Sequence, residues 1–100
     1  MYSMLDHIGF TVSNIEKSKN FYTKALAPMN LTIQMEGYGY VGYGNEQHTV
    51  FWIGEPNEKH SVIGTDTHIC FKASSKEEVD TFYSEALVAG GKDNGAPGIR

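Results

Sequence analysis

Two histidines, His7 and His68, are the residues best placed to do chemistry. Each opens one copy of an internal repeat: HIGFTVSNIEKSKNFYTKAL begins at His7 and HICFKASSKEEVDTFYSEAL at His68, with nine of twenty positions identical and no gap. Unrelated segments of average composition would share roughly one or two. Imidazole is the commonest side-chain ligand of transition metals, so two of them at equivalent positions, facing one centre, would supply half of a divalent metal site. The plainer alternative is a pair of structurally equivalent histidines that only form hydrogen bonds. His48 falls on the strand face of Val50 and Trp52 and is expected at the rim of such a site, whereas His60 lies in a polar stretch and is expected in solvent. Cys70 follows His68 on the same predicted face. A reactive thiol would need a lowered pKa, and a buried, inert cysteine is the expectation. Trp52 and Tyr40, with Tyr38 and Tyr43, either wall a pocket or pack a sheet. The expected pocket therefore comprises Trp52, His48, Cys70 and Tyr40, around His7 and His68 as the metal candidates.

The elements that must position these groups repeat as well. Residues 5–12 alternate, with Ile8, Phe10 and Val12 on one face and His7, Gly9 and Thr11 on the other. Ile69, Phe71 and Ala73 alternate in phase with them, and predict an equivalent strand. Both strands run into Ser-x-x-Glu, Ser13 to Glu16 and Ser74 to Glu77, the pattern of a capping box at a helix start. Apolar stripes follow in each copy, ending in Ala25-Leu26 and Ala86-Leu87. Pro28 closes the first helix and Gly90-Gly91 the second. Residues 31–35 predict a further strand. The Gly-Tyr tract of residues 37–44 suits a strand better than disorder, and a turn at Gly44-Asn45-Glu46 leads into a last strand over residues 48–53. The order is β-α-β-β-β over residues 5–54, with a polar linker at 55–65 and the start of a second such module at 66–100.

Composition narrows the field. Eight Lys and Arg against twelve Asp and Glu give a net charge of −4, with the basic residues scattered. A nucleic-acid binder would gather its cations along one stripe, so none is expected as partner. No unbroken apolar run exceeds the length of residues 50–53, which is far too short to span a membrane. The start of the chain has no signal-peptide pattern. The single cysteine fits a reducing compartment and a cytoplasmic location. Neither a phosphate-binding glycine loop nor a Ser-His-Asp arrangement is present in the pattern.

Paired β-α-β-β-β modules that each open with a histidine resemble the vicinal oxygen chelate superfamily, which contains glyoxalase I, the extradiol dioxygenases and the fosfomycin- and bleomycin-resistance proteins. The resemblance is carried by Leu5-Asp6-His7-Ile8-Gly9-Phe10-Thr11-Val12, then Phe21-Tyr22 and Ala25-Leu26, and by Thr67-His68-Ile69-Cys70-Phe71, and it covers nearly the whole chain. It implies an α+β fold in which two modules form one curled mixed sheet around a concave cup. It further implies a divalent metal (Fe, Mn, Zn or Ni), with His7 and His68 matching the two first-strand ligands. Glyoxalase I has a carboxylate on the last strand of the first module, where this chain has Trp52. Two histidines with a glutamate from a final strand beyond Arg100 would resemble the extradiol dioxygenase triad, which suits Fe(II) or Mn(II). The activity implied is a metal-dependent lyase or dioxygenase in which the ion, as Lewis acid, steadies an oxyanion of a small oxygen-rich substrate. The alternatives are a metal-free protein of the bleomycin-resistance type that sequesters a small molecule, and an interaction domain without a ligand. Because only the first module is complete, the plan predicts a longer chain. A chain ending at Arg100 would leave an open sheet edge, which invites a homodimer.

Overall fold

The computed structural model describes residues 4–62 and 67–99. Strand β1 (Ile8–Thr11) leads to helix α1 (Ile15–Leu26), a 3₁₀ turn (Ala27–Met29), strands β2 (Thr32–Gly37), β3 (Tyr40–Gly44) and β4 (Thr49–Gly54), and helix α2 (Lys76–Val88). The four strands form one mixed sheet in the order β1-β4-β3-β2. β1 runs parallel to β4, while β4, β3 and β2 are antiparallel neighbours. The fold is the α+β class expected, with a single β-α-β-β-β module.

Chain direction explains the layering. β1 and β2 are opposite edges of the sheet, so α1, which joins them, must cross one face, and no helix among the described residues covers the other. The covered face is the core: Val41 and Tyr43 of β3, Phe51 and Ile53 of β4, Val12, and Ala25 and Leu26 of α1 are all buried. Ring contacts knit it, with Tyr22 and Phe51 meeting edge-to-face at 5.0 Å and Phe10 and Phe51 at 5.5 Å. Tyr43 is fully buried yet satisfied: its hydroxyl donates to the Lys19 carbonyl at 3.1 Å and lies 3.0 Å from Thr23 Oγ1. Burial pushes the Tyr43 hydroxyl above its ordinary pKa. Lys19 also pairs with Glu36 and ties α1 to β2.

The Gly-Tyr tract is divided between two strands. β2 extends to Gly37, Tyr38-Gly39 make the turn, with Gly39 at φ 84°, and β3 begins at Tyr40. A positive φ at a hairpin turn is open to glycine at no steric cost. β1 is shorter than its alternating pattern, because its ladder lasts only as long as β4 runs beside it, from Ile8 opposite Phe51 to Thr11 opposite Gly54.

Both helix starts lie one residue beyond the expected serines. Asn14 caps α1 by accepting from the Lys17 N–H at 3.0 Å, and Ser75 caps α2 by accepting from the Glu78 N–H at 3.1 Å. Neither Glu16 nor Glu77 closes a capping box; Glu78 reaches back instead, accepting from the Ser74 N–H at 3.0 Å and its hydroxyl at 2.7 Å. Asn14 competes with Ser13 for the cap and is an equally good capping residue, which the serine-based pattern overlooks.

The second copy departs from the expected plan. Residues 68–71 are not a strand of the sheet, so the paired modules and the curled two-module sheet do not form among the described residues. In the first copy β1 is held by β4, and among the described residues no strand follows α2. What remains is side-chain packing: Phe71 meets Phe51 edge-to-face at 5.0 Å, and Ile69 and Phe82 lean on the core. The expected linker is irregular through residue 62, and its end at 63–65 and the module start at 66 lie outside the described residues.

Candidate functional site

The uncovered face of the sheet carries the candidate site. Gly9 of β1 pairs with Trp52 of β4, which pairs in turn with Gly42 of β3, so the indole has a glycine on either side. These glycines make room for it. A Cβ on Gly42 would stand 2.7 Å from the indole Cζ3, and one on Gly9 would stand 2.9 Å from the Trp52 Cβ. Trp52 therefore spreads over backbone where side chains would otherwise stand. Tyr40 covers Gly37 in the same way, its ring centre 6.0 Å from that of Trp52. The pair forms an aromatic floor.

Around Trp52 the face is hollowed to about 680 Å³, within the usual span of small-molecule pockets. His7, Gly9 and Asp6 line it from β1 and the residues before it, Gln34 and Met35 from β2, and the turn of residues 45–48 from the far side. That turn is shaped by Asn45, whose side-chain oxygen accepts from the Gln47 and His48 N–H groups at 2.9 and 3.1 Å. It brings His48 back to the start of β1. There Asp6 joins two imidazoles: its Oδ2 lies 2.7 Å from His7 Nδ1, its carbonyl oxygen 2.8 Å from His48 Nε2, and its Oδ1 3.1 Å from the same nitrogen. The hydrogen bond from His7, aided by the nearness of both rings, holds the Asp6 carboxyl below the usual carboxylate range, although burial opposes it.

A second hollow of about 850 Å³ shares this wall. His7 and His48 line it on one side, and His68, Ile69, Cys70 and Phe71 on the other. The two repeat histidines thus face one hollow. The donors present do not complete a metal site: among the described residues no group of three or more His, Cys, Asp and Glu could hold an ion.

The pocket residues expected from sequence divide between the two hollows. Trp52 and His48 line the first, while Cys70 lines only the second. Tyr40 supports Trp52 from the side without lining either. Cys70 is exposed, which corrects the expectation of a buried thiol. Its strand face is uncovered because residues 68–71 have no sheet around them. His60 is exposed, as expected, in a turn closed by Asn57. Asp6 has no role in the sequence reading, although an acid directly before a histidine at the mouth of a strand is a signal that could have found it. Gln34 carries no such signal, because only the β2–β3 register brings it to the open face.

The sequence profile of the Glyoxalase/Bleomycin resistance protein/Dioxygenase superfamily matches residues 4–98. The crystal structure of a glyoxalase/bleomycin resistance protein from Albidiferax ferrireducens T118 superposes with a TM-score of 0.80 at 27% identity, over 95% of this chain and 77% of that one. A possible glyoxalase from Bacillus cereus superposes at 0.60 with 19% identity, over 88% of this chain and 76% of that one. A hypothetical protein from S. aureus superposes at 0.64 with 23% identity, over 100% and 78% of the two chains. The last two show likeness of fold alone. No curated protein sequence matches the chain.

Proposed function

From the Glyoxalase/Bleomycin resistance protein/Dioxygenase superfamily, to which this chain belongs, we propose that the protein binds a small flat molecule on the open face of its sheet, in the manner of the bleomycin-resistance branch. The observation that carries this reading is the seating of Trp52 between Gly9 and Gly42 as the floor of a hollow. A ring face kept clear by two glycines gains little as packing, since it covers backbone and remains half-exposed. It gains much as a stacking platform, because an aromatic pair contributes about 0.5–1.5 kcal/mol beyond the area it buries. Polar groups at the rim, Gln34 and His48 among them, would fix the ligand's orientation by hydrogen bonds.

Trp52 is the chain's single tryptophan, so its emission reports the site directly. Screening planar heteroaromatic compounds, metal-free bleomycin included, should give saturable quenching. No change of emission with any of them would contradict the reading.

A metal-dependent enzyme, of lyase or dioxygenase type, is the second reading, favoured by His7 and His68 lining one hollow. Elemental analysis of protein purified without chelators decides between the two. Metal present in the native protein and lost in both His7→Ala and His68→Ala would favour the enzyme; its absence in native protein would remove that reading. On either reading the protein acts on a small molecule. Pairing of a second copy along β1, an end strand of the sheet, is the proposed assembly, since an edge strand offers a ready ladder.

A further inference from the structure

Asp6 holds two imidazoles, and the chemistry of its oxygens determines what each ring can do. A backbone carbonyl has no proton to give, so His48 Nε2, 2.8 Å from the Asp6 carbonyl oxygen, must be the donor in that contact. An ionised carboxylate also only accepts, so His7 Nδ1, 2.7 Å from Asp6 Oδ2, must carry its proton there. A neutral imidazole has one N–H and one lone pair. The lone pairs therefore lie on opposite atoms of the two rings, at Nε2 of His7 and at Nδ1 of His48. An imidazole without a partner favours the proton on Nε2, which makes the His7 form one that its surroundings must impose.

We propose that Asp6 is a positioning residue of the open-face site, holding His7 as the Nδ1–H tautomer so that its Nε2 lone pair is offered to the hollow. The ligand class this fits is a flat molecule bearing an N–H or O–H donor, laid on Trp52 and bonded through that donor to His7. Asp6 lines the hollow next to His7 and acts through it; it need not touch the ligand. The ligand half of the inference rests on the binding function proposed above, whereas the tautomer half is tested without any ligand.

The test is long-range proton–nitrogen correlation NMR on the full chain labelled with [15N]histidine. In native protein at neutral pH, His7 should show its proton on Nδ1 and His48 on Nε2. Asp6→Ala, which leaves no side-chain acceptor beside Nδ1, should move the His7 proton to Nε2 and leave His60, in its separate turn, unchanged. His48→Gln, which keeps Asp6, should leave the His7 pattern as in native protein. A native His7 protonated on Nε2, or an unaltered His7 pattern in Asp6→Ala, would overturn the proposal. The native spectrum alone is decisive even where a variant folds poorly. Failure of flat compounds to quench Trp52 would sink the binding function without moving these signals, so the two ideas fail separately.

Discussion

The two copies of the repeat share nine of twenty residues in their strand-and-helix segment, yet they end in different physical states. Ala25 and Leu26 of α1 are fully buried under the sheet, while their counterparts Ala86 and Leu87 of α2 are only half-buried, and α2 has no fully buried residue. The helix-forming information is equally present in both. What differs is the partner: α1 packs on the sheet against β4 and β2, whereas α2 leans on α1 and the 3₁₀ turn. A strand-like sequence also becomes a strand only where a ladder exists to receive it. Residues 8–11 have β4 beside them, and residues 68–71 do not.

The sharpest way to break this comparison is truncation at matched positions. Leu26→Ala should cost about 2–5 kcal/mol, the usual range for a buried leucine, whereas Leu87→Ala should cost less than about half as much. Urea denaturation of the two variants measures this, and equal losses would show that the second copy is as well packed as the first. One tyrosine from each region comes next. Tyr43→Phe removes a buried hydroxyl bonded to Lys19 and Thr23 and should cost about 1 kcal/mol, while Tyr83→Phe, whose partner is Asp93 on the surface, should change stability by less than about 0.5 kcal/mol.

Caps provide a finer contrast. Ser75→Ala should cost about 1 kcal/mol of helix α2 stability, detectable as faster amide exchange in its first turn, and Asn14→Ala should do the same for α1. Acid should then separate the helices. Bonds from the Ser74 N–H and hydroxyl hold Glu78 below the usual carboxylate range, while the equivalent position in α1 is Lys17. A carboxylate lowered on folding stabilises the fold above its unfolded pKa, near 4.3 for glutamate, and loses that contribution as the pH falls through the lower folded value. The start of α2 should therefore fray below about pH 4, beyond any change at the start of α1.

Much of the fold was legible because period and repeat are local signals. The alternation of Ile8, Phe10 and Val12 and the stripe ending in Ala25-Leu26 placed β1 and α1 on the correct faces. The boundaries moved where local rules compete, as with Asn14 against Ser13. The site was less legible. Alternation puts Trp52 and His48 on one face, where both line the hollow, but Gln34 enters through strand register, and Asp6 meets His48 only because the distant turn at residues 45–48 closes there. Cys70 is exposed because residues 68–71 form no strand of the sheet.

The central claim is that the first copy carries the binding surface, on the face that α1 leaves open. Chemical-shift mapping with a library of flat heteroaromatic fragments tests it most directly, since a competing apolar hollow lies on the other side, lined by Phe21, Phe71 and Phe82 among others. The prediction is that bound fragments shift the Trp52 indole N–H and the Gly9 and Gly42 amides together. Shifts gathered instead around Phe71 and Phe82, with Trp52 unmoved, would contradict it.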